Sequence, residues 1–248
     1  MRFLEYGPKH NDTLLLLHGG GLSWWNYREA AELLQEEYHV IVPILDGHTG
    51  SDRPFTTIEE NASEIISFID EHLNGSVSLI GGLSLGGQIL LEMLAQRKNI
   101  CFYALVESAA VIPSKLTNAL IAPIVSCSYG LIKKRDFAKL QFQSLHIKPE
   151  LFEDYYRDTC QIQKQDMIAF LKANTSYSLK DAFRKASAEI HVYVGERETR
   201  EILHSAEVIC QMHHSCRVHR MRDLKHGEFS INHAGQYVDA IRKIVQGG

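Results

Sequence analysis

The sequence lacks several features that would assign it to particular partners or compartments. It has 26 Lys and Arg against 30 Asp and Glu, a formal net charge of −4, and so no basic surplus of the kind that nucleic-acid binding requires. No apolar run approaches the roughly 20 residues of a membrane span. Residues 1–8 contain no apolar stretch of signal-peptide length. We therefore expect no nucleic-acid partner, no membrane span and a cytoplasmic location.

Cysteine is scarce, and the spacing of the cysteines matches no disulfide framework or metal-binding motif. The five cysteines are odd in number and form no CxxC pair; they stand at positions 101, 127, 160, 210 and 216. This usage predicts reduced, mostly buried thiols, as in cytoplasmic proteins. None has a neighbouring pattern that favours a nucleophile. The chain also has no metal-ligand spacing and no nucleotide-binding loop, so we expect no metal and no cofactor.

What the sequence does contain is an ordinary globular composition with alternating strand and helix patterns. Its 248 residues, 45% apolar and 23% charged, suffice for one large domain with a full core. Apolar runs predict strands at 13–17, 39–44, 77–80, 102–106, 190–194 and 216–221. Helical periodicity falls between them, for example at 58–73, and 234–245 predicts a closing helix. Strands separated by helices indicate an α/β class with a mostly parallel sheet covered on both faces.

One stretch interrupts this alternation. Residues 113–188 contain no convincing strand, and their periodicity is helical throughout. We interpret them as a helical cap inserted between two strands and lying over the C-terminal edge of the sheet. The predicted domains are therefore a core of residues 1–112 and 189–248 and a cap of residues 113–188.

The most informative motif is Gly82-Leu83-Ser84-Leu85-Gly86, which follows a predicted strand and precedes a predicted helix. A Gly-x-Ser-x-Gly sequence in that context is a nucleophile elbow, a turn so tight that flanking side chains would collide. The turn lifts the serine hydroxyl above the sheet edge, where a base can reach it. The same string elsewhere is often a glycine-rich turn with a surface serine. The strand before it and the helix after it favour Ser84 as a nucleophile.

A serine nucleophile needs a base and a group that orients the base. His226 lies in a predicted loop after the last strand and before the closing helix, which favours it among the 13 histidines. Glu198 follows the strand 190–194 in a turn from which a carboxylate can reach an imidazole. Glu196 in the same turn and Glu107 after the strand 102–106 remain alternatives for the acid. For each of the three, a solvated loop carboxylate is the competing interpretation.

A tetrahedral intermediate also needs hydrogen-bond donors for its oxyanion. The loop His18-Gly19-Gly20-Gly21 follows the first strong strand and exposes backbone N–H groups. We expect the N–H groups of Gly20 and Leu85, the residue after the nucleophile, to form the oxyanion hole. An ordinary tight turn is the alternative for the glycines. His18 is expected to anchor the loop rather than to react.

These pieces together resemble the α/β-hydrolase superfamily over nearly the full length of the chain. The matching segments are His18–Gly21, Asp46–Ser51, Gly82–Gly86, Gly195–Glu198 and His226–Gly227. The chain is similar to the small capped members grouped as carboxylesterases, lipase-like hydrolases and C–C bond hydrolases. In the family the Asp46–Ser51 loop is structural, and the acid matching Glu198 is commonly aspartate. Serine at the elbow argues against dehalogenase-like and epoxide hydrolase-like chemistry, which use a carboxylate there.

The expected function is that of a serine hydrolase. Ser84, Glu198 and His226 would cleave a carboxylic ester, or a related acyl bond, of a small and largely apolar substrate through an acyl-enzyme. The predicted cap, together with Leu22, Trp24 and Trp25 just after the glycine loop, would wall the substrate site, although the two tryptophans could also simply pack the domain. The alternatives are a C–C bond hydrolase or lyase, a cofactor-free haloperoxidase-like enzyme, and a binding protein on a hydrolase fold, because fold alone does not choose among them.

Overall fold

A seven-stranded sheet forms the centre of the computed structural model, which describes residues 1–247. The sheet has the order β1-β3-β2-β4-β5-β6-β7, in which β1 pairs antiparallel with β3 and every other pair is parallel. The strands are β1 (Phe3–Tyr6), β2 (Thr13–Leu17), β3 (His39–Pro43), β4 (Val77–Leu83), β5 (Cys101–Glu107), β6 (Glu189–Gly195) and β7 (Cys216–Met221). The predicted α/β class is confirmed.

Helices cover both faces of this sheet. They are α1 (Arg28–Leu34), α2 (Ile58–His72), α3 (Leu85–Gln96), α4 (Lys115–Ile132), α5 (Arg135–Ser144), α6 (Phe152–Thr159), α7 (Lys164–Ser176), α8 (Arg200–Met212), α9 (Glu228–Asn232) and α10 (Ala234–Gln246). Short 3₁₀ turns occupy Trp24–Tyr27, Pro149–Leu151 and Asp181–Lys185.

The packing of β2 shows why its four leucines form a strand with no polar face. Leu15 and Leu17 belong to one buried cluster, whereas Leu14 and Leu16 belong to another. Successive side chains of a strand point to opposite faces of the sheet, so the two clusters lie on its two sides. All four side chains are fully buried. A continuous apolar run of this kind is what a strand covered on both faces requires.

The segment between β5 and β6 is helical, within the range predicted for the cap. It contains α4 to α7, and side chains from α6 and α7 attach it to the core. Trp25 Nε1 donates to Asp158 Oδ2 at 2.9 Å, and Arg28 pairs with Asp154 at 2.8 Å. These bonds hold the insertion in a defined position over the carboxyl ends of the strands.

Helix α4 contradicts the expectation that no segment approaches the length and apolarity of a membrane span. Its 18 residues have a mean hydropathy of 1.2, and most of them are not buried. Single polar residues such as Asn118 and Ser126 interrupt the run, so the sequence shows no continuous apolar stretch. By length and composition alone, α4 meets the requirement for a membrane span.

The expectation that all five cysteines are reduced and mostly buried is also wrong. Cys210, near the end of α8, forms a disulfide with Cys216 at the start of β7, and their Cα atoms lie 4.9 Å apart. The turn between these elements brings the two residues together, which their spacing in sequence did not reveal. Among the remaining cysteines, Cys101 is buried, Cys160 is half-buried and Cys127 is exposed. Cysteine usage therefore no longer argues for a reducing compartment.

Candidate active site

Ser84 lies at the junction of β4 and α3, in a backbone conformation that is strained for a non-glycine residue. Its φ is 52° and its ψ is −110°. Such a conformation persists only where the surroundings enforce it, and it is concentrated at functional sites. The flanking glycines make the turn possible, because a Cβ on Gly82 would collide with the carbonyl of Gly86, and one on Gly86 with the carbonyl of Leu17. The Ser84 N–H donates to the carbonyl of Glu107 at 2.8 Å and ties the turn to β5.

His226 and Glu198 meet at the same edge of the sheet. His226 lies in the loop after β7, and its Nδ1 is 3.1 Å from Oε2 of Glu198, which follows β6. The carboxyl side chain is 1% exposed, whereas the imidazole is 49% exposed. With Nδ1–H donating to the carboxylate, Nε2 is the ring nitrogen left to take a proton. This orientation is the one a general base needs when an acid fixes its tautomer.

The charge of Glu198 also affects the proton affinity of His226. Packing around the ring opposes protonation, but the hydrogen bond and charge of Glu198, with a smaller effect of Glu107, outweigh it. The net result is that the pKa of His226 is raised above its usual 6.5. A raised pKa makes the imidazole a stronger acceptor for the serine hydroxyl proton.

The two alternative acids occupy different environments. Glu196 is exposed, and its carboxylate accepts from the backbone N–H of Asp223 at 3.4 Å. Glu107, at the end of β5, is 1% exposed, and its Oε1 accepts from the N–H of Ser230 at 3.2 Å. Burial raises the pKa of Glu107 to about 7. Of the three candidates, the structure brings Glu198 into hydrogen-bond contact with the imidazole.

Ser108 is a contact that the sequence did not indicate. Its hydroxyl donates to Oε1 of Glu198, the oxygen that does not face His226. Its φ of 54° places it, like Ser84, in the left-handed region. Ser108 follows the last residue of β5, but a serine after a strand is too common for its position alone to be a signal. The hydroxyl holds the carboxylate in place from the side opposite the imidazole.

The predicted oxyanion donors are neighbours in space. A Cβ built on Gly20 would lie 3.4 Å from the side chain of Leu85. As the first residue of α3, Leu85 has a backbone N–H with no acceptor inside the helix. In the glycine loop, Gly19 and Gly21 donate to Asn26 Oδ1 and His48 Nε2, respectively. Within residues 1–247, no acceptor is described for the N–H of Gly20.

Two buried histidines hold the glycine loop, as expected for His18. Its Nδ1 lies 2.9 Å from the carbonyl of Gly19, and its Nε2 accepts from the N–H of Leu45 at 3.1 Å. His48, on the Asp46–Ser51 loop, accepts from Gly21 at 3.0 Å. Burial lowers the pKa of His18 to about 3 and that of His48 to about 4. Both rings are therefore neutral near pH 7 and act as hydrogen-bond partners of the backbone. The sequence did not indicate the contact of His48 with the glycine loop.

Ser84 and His226 line one cavity of about 320 Å³, which lies between the sheet and the insertion. Its other walls are mostly apolar and come from both parts of the chain; they include Gly20, Leu22, Leu83, Leu145, Ile147, Tyr155, Met167, Phe170 and Ile231. Polar side chains stand at its margin, where Lys225 Nζ lies 3.0 Å from His146 Nε2. The cavity thus gives an apolar ligand access to the serine and the imidazole.

Trp24 and Trp25 are not among the residues that line this cavity, contrary to the expectation. The ring of Trp25 is 1% exposed and bonds to Asp158 of α6. The guanidinium of Arg28 lies 4.6 Å from the ring centroid of Trp24. The short 3₁₀ turn directs both indoles toward the junction of core and insertion. Leu22 and side chains of the insertion line the cavity.

The strained serine, the carboxylate-bound histidine and the glycine loop stand at the carboxyl ends of parallel strands, which defines an α/β-hydrolase fold. The model of the Alpha/beta hydrolase family matches residues 14–240, and the chain belongs to that family. Within residues 1–247, no group of three His, Cys, Asp or Glu side chains is arranged to hold a metal ion.

Comparison with known proteins supports the fold over almost the whole chain. An esterase from Thermogutta terrifontis is 18% identical with a TM-score of 0.81, covering 99% of this chain and 93% of that one. An enol-lactonase from Burkholderia xenovorans LB400 is 15% identical with a TM-score of 0.82, covering 99% and 96%. A magnesium-chelatase 30 kDa subunit from Rhodobacter capsulatus is 34% identical over 93 residues, 36% of this chain and 32% of that protein. The matches span about a third of the length of such curated relatives.

Proposed function

We propose that the protein is a serine hydrolase that cleaves a carboxylic ester, or a related acyl bond, of a small and largely apolar substrate. The observation that carries this proposal is the convergence of Ser84 and His226 on one cavity, with the imidazole bonded to Glu198 at 3.1 Å. Membership of a hydrolase family agrees with it. Elbow strain at Ser84 is difficult to explain for a binding protein, because it costs stability without contributing contacts.

In the proposed mechanism, Ser84 Oγ attacks the carbonyl carbon of the substrate while His226 Nε2 accepts the hydroxyl proton. Glu198 stabilises the resulting imidazolium through Nδ1–H. The N–H groups of Gly20 and Leu85 stabilise the negative charge that develops on the carbonyl oxygen. His226 then gives its proton to the departing alcohol, which leaves an acyl-serine. A water molecule, deprotonated by the same imidazole, releases the carboxylic acid.

The cavity walls support an apolar acyl or alkyl group as the substrate portion that is bound. Leucine, isoleucine, methionine and phenylalanine side chains dominate its interior, and a volume of about 320 Å³ is at the small end of ligand sites. The polar margin at His146 and Lys225 is half-exposed or exposed. A polar substituent of the substrate would accordingly be tolerated at the entrance and disfavoured deep in the cavity.

A panel of p-nitrophenyl esters of graded acyl length tests this function. Ser84→Ala is expected to lower kcat/KM on the order of 10⁴-fold or more, as in triad knockouts of other serine hydrolases. Ser144→Ala, which changes another serine that lines the cavity, is the matched control and should retain activity. Activity that survives Ser84→Ala would exclude the proposed nucleophile, and a thioester series run in parallel would show whether the acyl bond must be an ester.

A further inference from the structure

The side of α4 that faces away from the fold is apolar. Leu116, Leu120, Ile124 and Leu131 are 75%, 48%, 60% and 39% exposed, and Cys127 between them is also exposed. At 100° per residue these five positions fall within an arc of about 80° on the helix. We call them the outer face of α4. Scattered exposed leucines are ordinary on a protein surface, but a row of them along one helix is not.

The opposite side of α4 already supplies the contacts that hold the helix in place. Ile121, Val125 and Ile132 are buried in the main hydrophobic cluster. A surface helix of a globular protein usually has one apolar face toward the core and a charged face toward water. Helix α4 instead has a second apolar face, and no charged residue occurs from position 116 to position 132. Within residues 1–247, nothing covers the outer face.

Lysine residues lie at both ends of this apolar face. Lys115 begins the helix, and Lys133 and Lys134 follow it directly. None of these three lysines forms an ion pair within the part of the chain that the structure describes. Between positions 113 and 149 the chain has six basic residues and one acidic residue, Asp136.

Positive charge is also in excess over the whole insertion, whereas the core has an excess of negative charge. Residues 113–188 carry twelve Lys and Arg against seven Asp and Glu, whereas the rest of the chain carries 14 against 23. A protein with a net charge of −4 therefore presents a positive insertion on a negative core. Such a separation of charge orients a molecule in an electric field. Near a negatively charged surface, the insertion would face that surface and the core would be repelled from it.

We propose that the outer face of α4 docks the protein on the surface of an anionic lipid bilayer. The leucine and isoleucine side chains enter the boundary between head groups and acyl chains, and the lysines at both ends of α4 contact head-group phosphates. The helix lies in the plane of the surface and keeps its inner face on the fold. A second copy of the chain is a poorer occupant, because a symmetric contact through α4 would bring two positive insertions together.

Co-sedimentation with lipid vesicles tests this proposal. The probes are vesicles of phosphatidylcholine alone and of phosphatidylcholine mixed with phosphatidylglycerol. We expect the wild-type protein to bind the mixed vesicles at low salt and to dissociate as salt rises, because screening weakens the lysine contacts. The double variants Leu116→Ser/Ile124→Ser and Lys133→Gln/Lys134→Gln should each lower the partition coefficient about tenfold or more.

Matched control variants on the core distinguish docking through α4 from non-specific adsorption to the vesicles. Phe102→Ser removes an apolar side chain that is 65% exposed on β5, and Lys9→Gln/Lys98→Gln removes two exposed lysines of the core. Neither should change vesicle binding. Hydrolysis of a water-soluble ester should be unchanged in all four variants if the proposed function is correct, since none alters the candidate active site. Circular dichroism confirms their folding independently of that function.

Two results would overturn the proposal. The first is wild-type protein that does not bind the anionic vesicles, or that binds them equally well after either α4 double substitution. The second is self-association, measured by sedimentation velocity, that Leu116→Ser/Ile124→Ser abolishes while vesicle binding is absent. That second result would assign the outer face to a copy of the same chain.

Discussion

The buried carboxyl group of Glu107 allows a quantitative prediction about stability. Burial raises its pKa in the folded protein to about 7, from an ordinary value of 4.5. The folded state thus holds a proton that the unfolded state releases about 2.5 pH units earlier. Each pH unit corresponds to about 1.4 kcal/mol, so ionisation of Glu107 opposes folding by on the order of 3 kcal/mol above pH 7. Below pH 4.5 both states are protonated, and this opposition disappears.

The substitution Glu107→Gln removes the titration and keeps an oxygen that can accept from the N–H of Ser230. We expect the free energy of unfolding of the variant, relative to that of the wild type, to increase by about 3 kcal/mol between pH 4 and pH 9. Urea unfolding followed by circular dichroism at a series of pH values measures this difference, in which titrating groups that do not interact with Glu107 cancel. Ester hydrolysis near pH 7 should be largely retained in the variant.

Two outcomes are incompatible with a protonated, non-catalytic Glu107. A difference in unfolding free energy that does not change between pH 4 and pH 9 would mean that Glu107 titrates normally despite its burial. A loss of activity in Glu107→Gln as large as the loss in Glu198→Gln would mean that Glu107 takes part in catalysis.

The remaining predictions concern the candidate acid and its supports. Glu198→Gln should lower kcat/KM by about 10⁴-fold. The acidic limb of its residual pH–rate profile should move to lower pH, because the carboxylate raises the pKa of His226. An acidic limb that does not move would contradict the assignment of Glu198 as the acid. Ser108→Ala removes a hydrogen bond to the Glu198 carboxylate and should lower kcat/KM about 10- to 100-fold with normal folding by circular dichroism; unchanged kinetics would exclude this positioning role. Trp25→Phe removes the donor to Asp158 and should destabilise the protein by about 1–3 kcal/mol in urea unfolding, and a neutral result would show that this bond does not help to hold the insertion.

Most of the fold could be predicted because its strands are buried on both sides. Runs such as Leu14–Leu17 and the strand before Ser84 carry a continuous apolar signal that does not depend on the rest of the structure. β1 was missed because an edge strand is covered less completely, and its residues alternate between exposed and half-buried. The disulfide between Cys210 and Cys216 was missed because it depends on how α8 returns to β7.

Some residues of the candidate site could likewise be predicted from local sequence, whereas others depend on tertiary packing. Ser84 and Gly20 could be predicted from local patterns, since a tight turn and a glycine loop require glycines in the adjacent sequence. His226 could be predicted from its position in the loop between the last strand and the closing helix. The choice of Glu198 over Glu107 is a prediction that the described hydrogen bond now supports. The positions of Trp24 and Trp25 depended on the path of a 3₁₀ turn and on where the insertion packs. Neither of those is encoded near the tryptophans, so their position in sequence does not show that they lie outside the cavity wall.

The nucleophilic role of Ser84 can be tested directly by covalent labelling. The protein is treated with a fluorophosphonate, its intact mass is measured, and the modified peptide is identified after digestion. We predict a single adduct on the peptide that contains Ser84, and none in Ser84→Ala. An adduct on a different residue, or an esterase-active protein in which Ser84 stays unlabelled, would show that Ser84 is not the nucleophile.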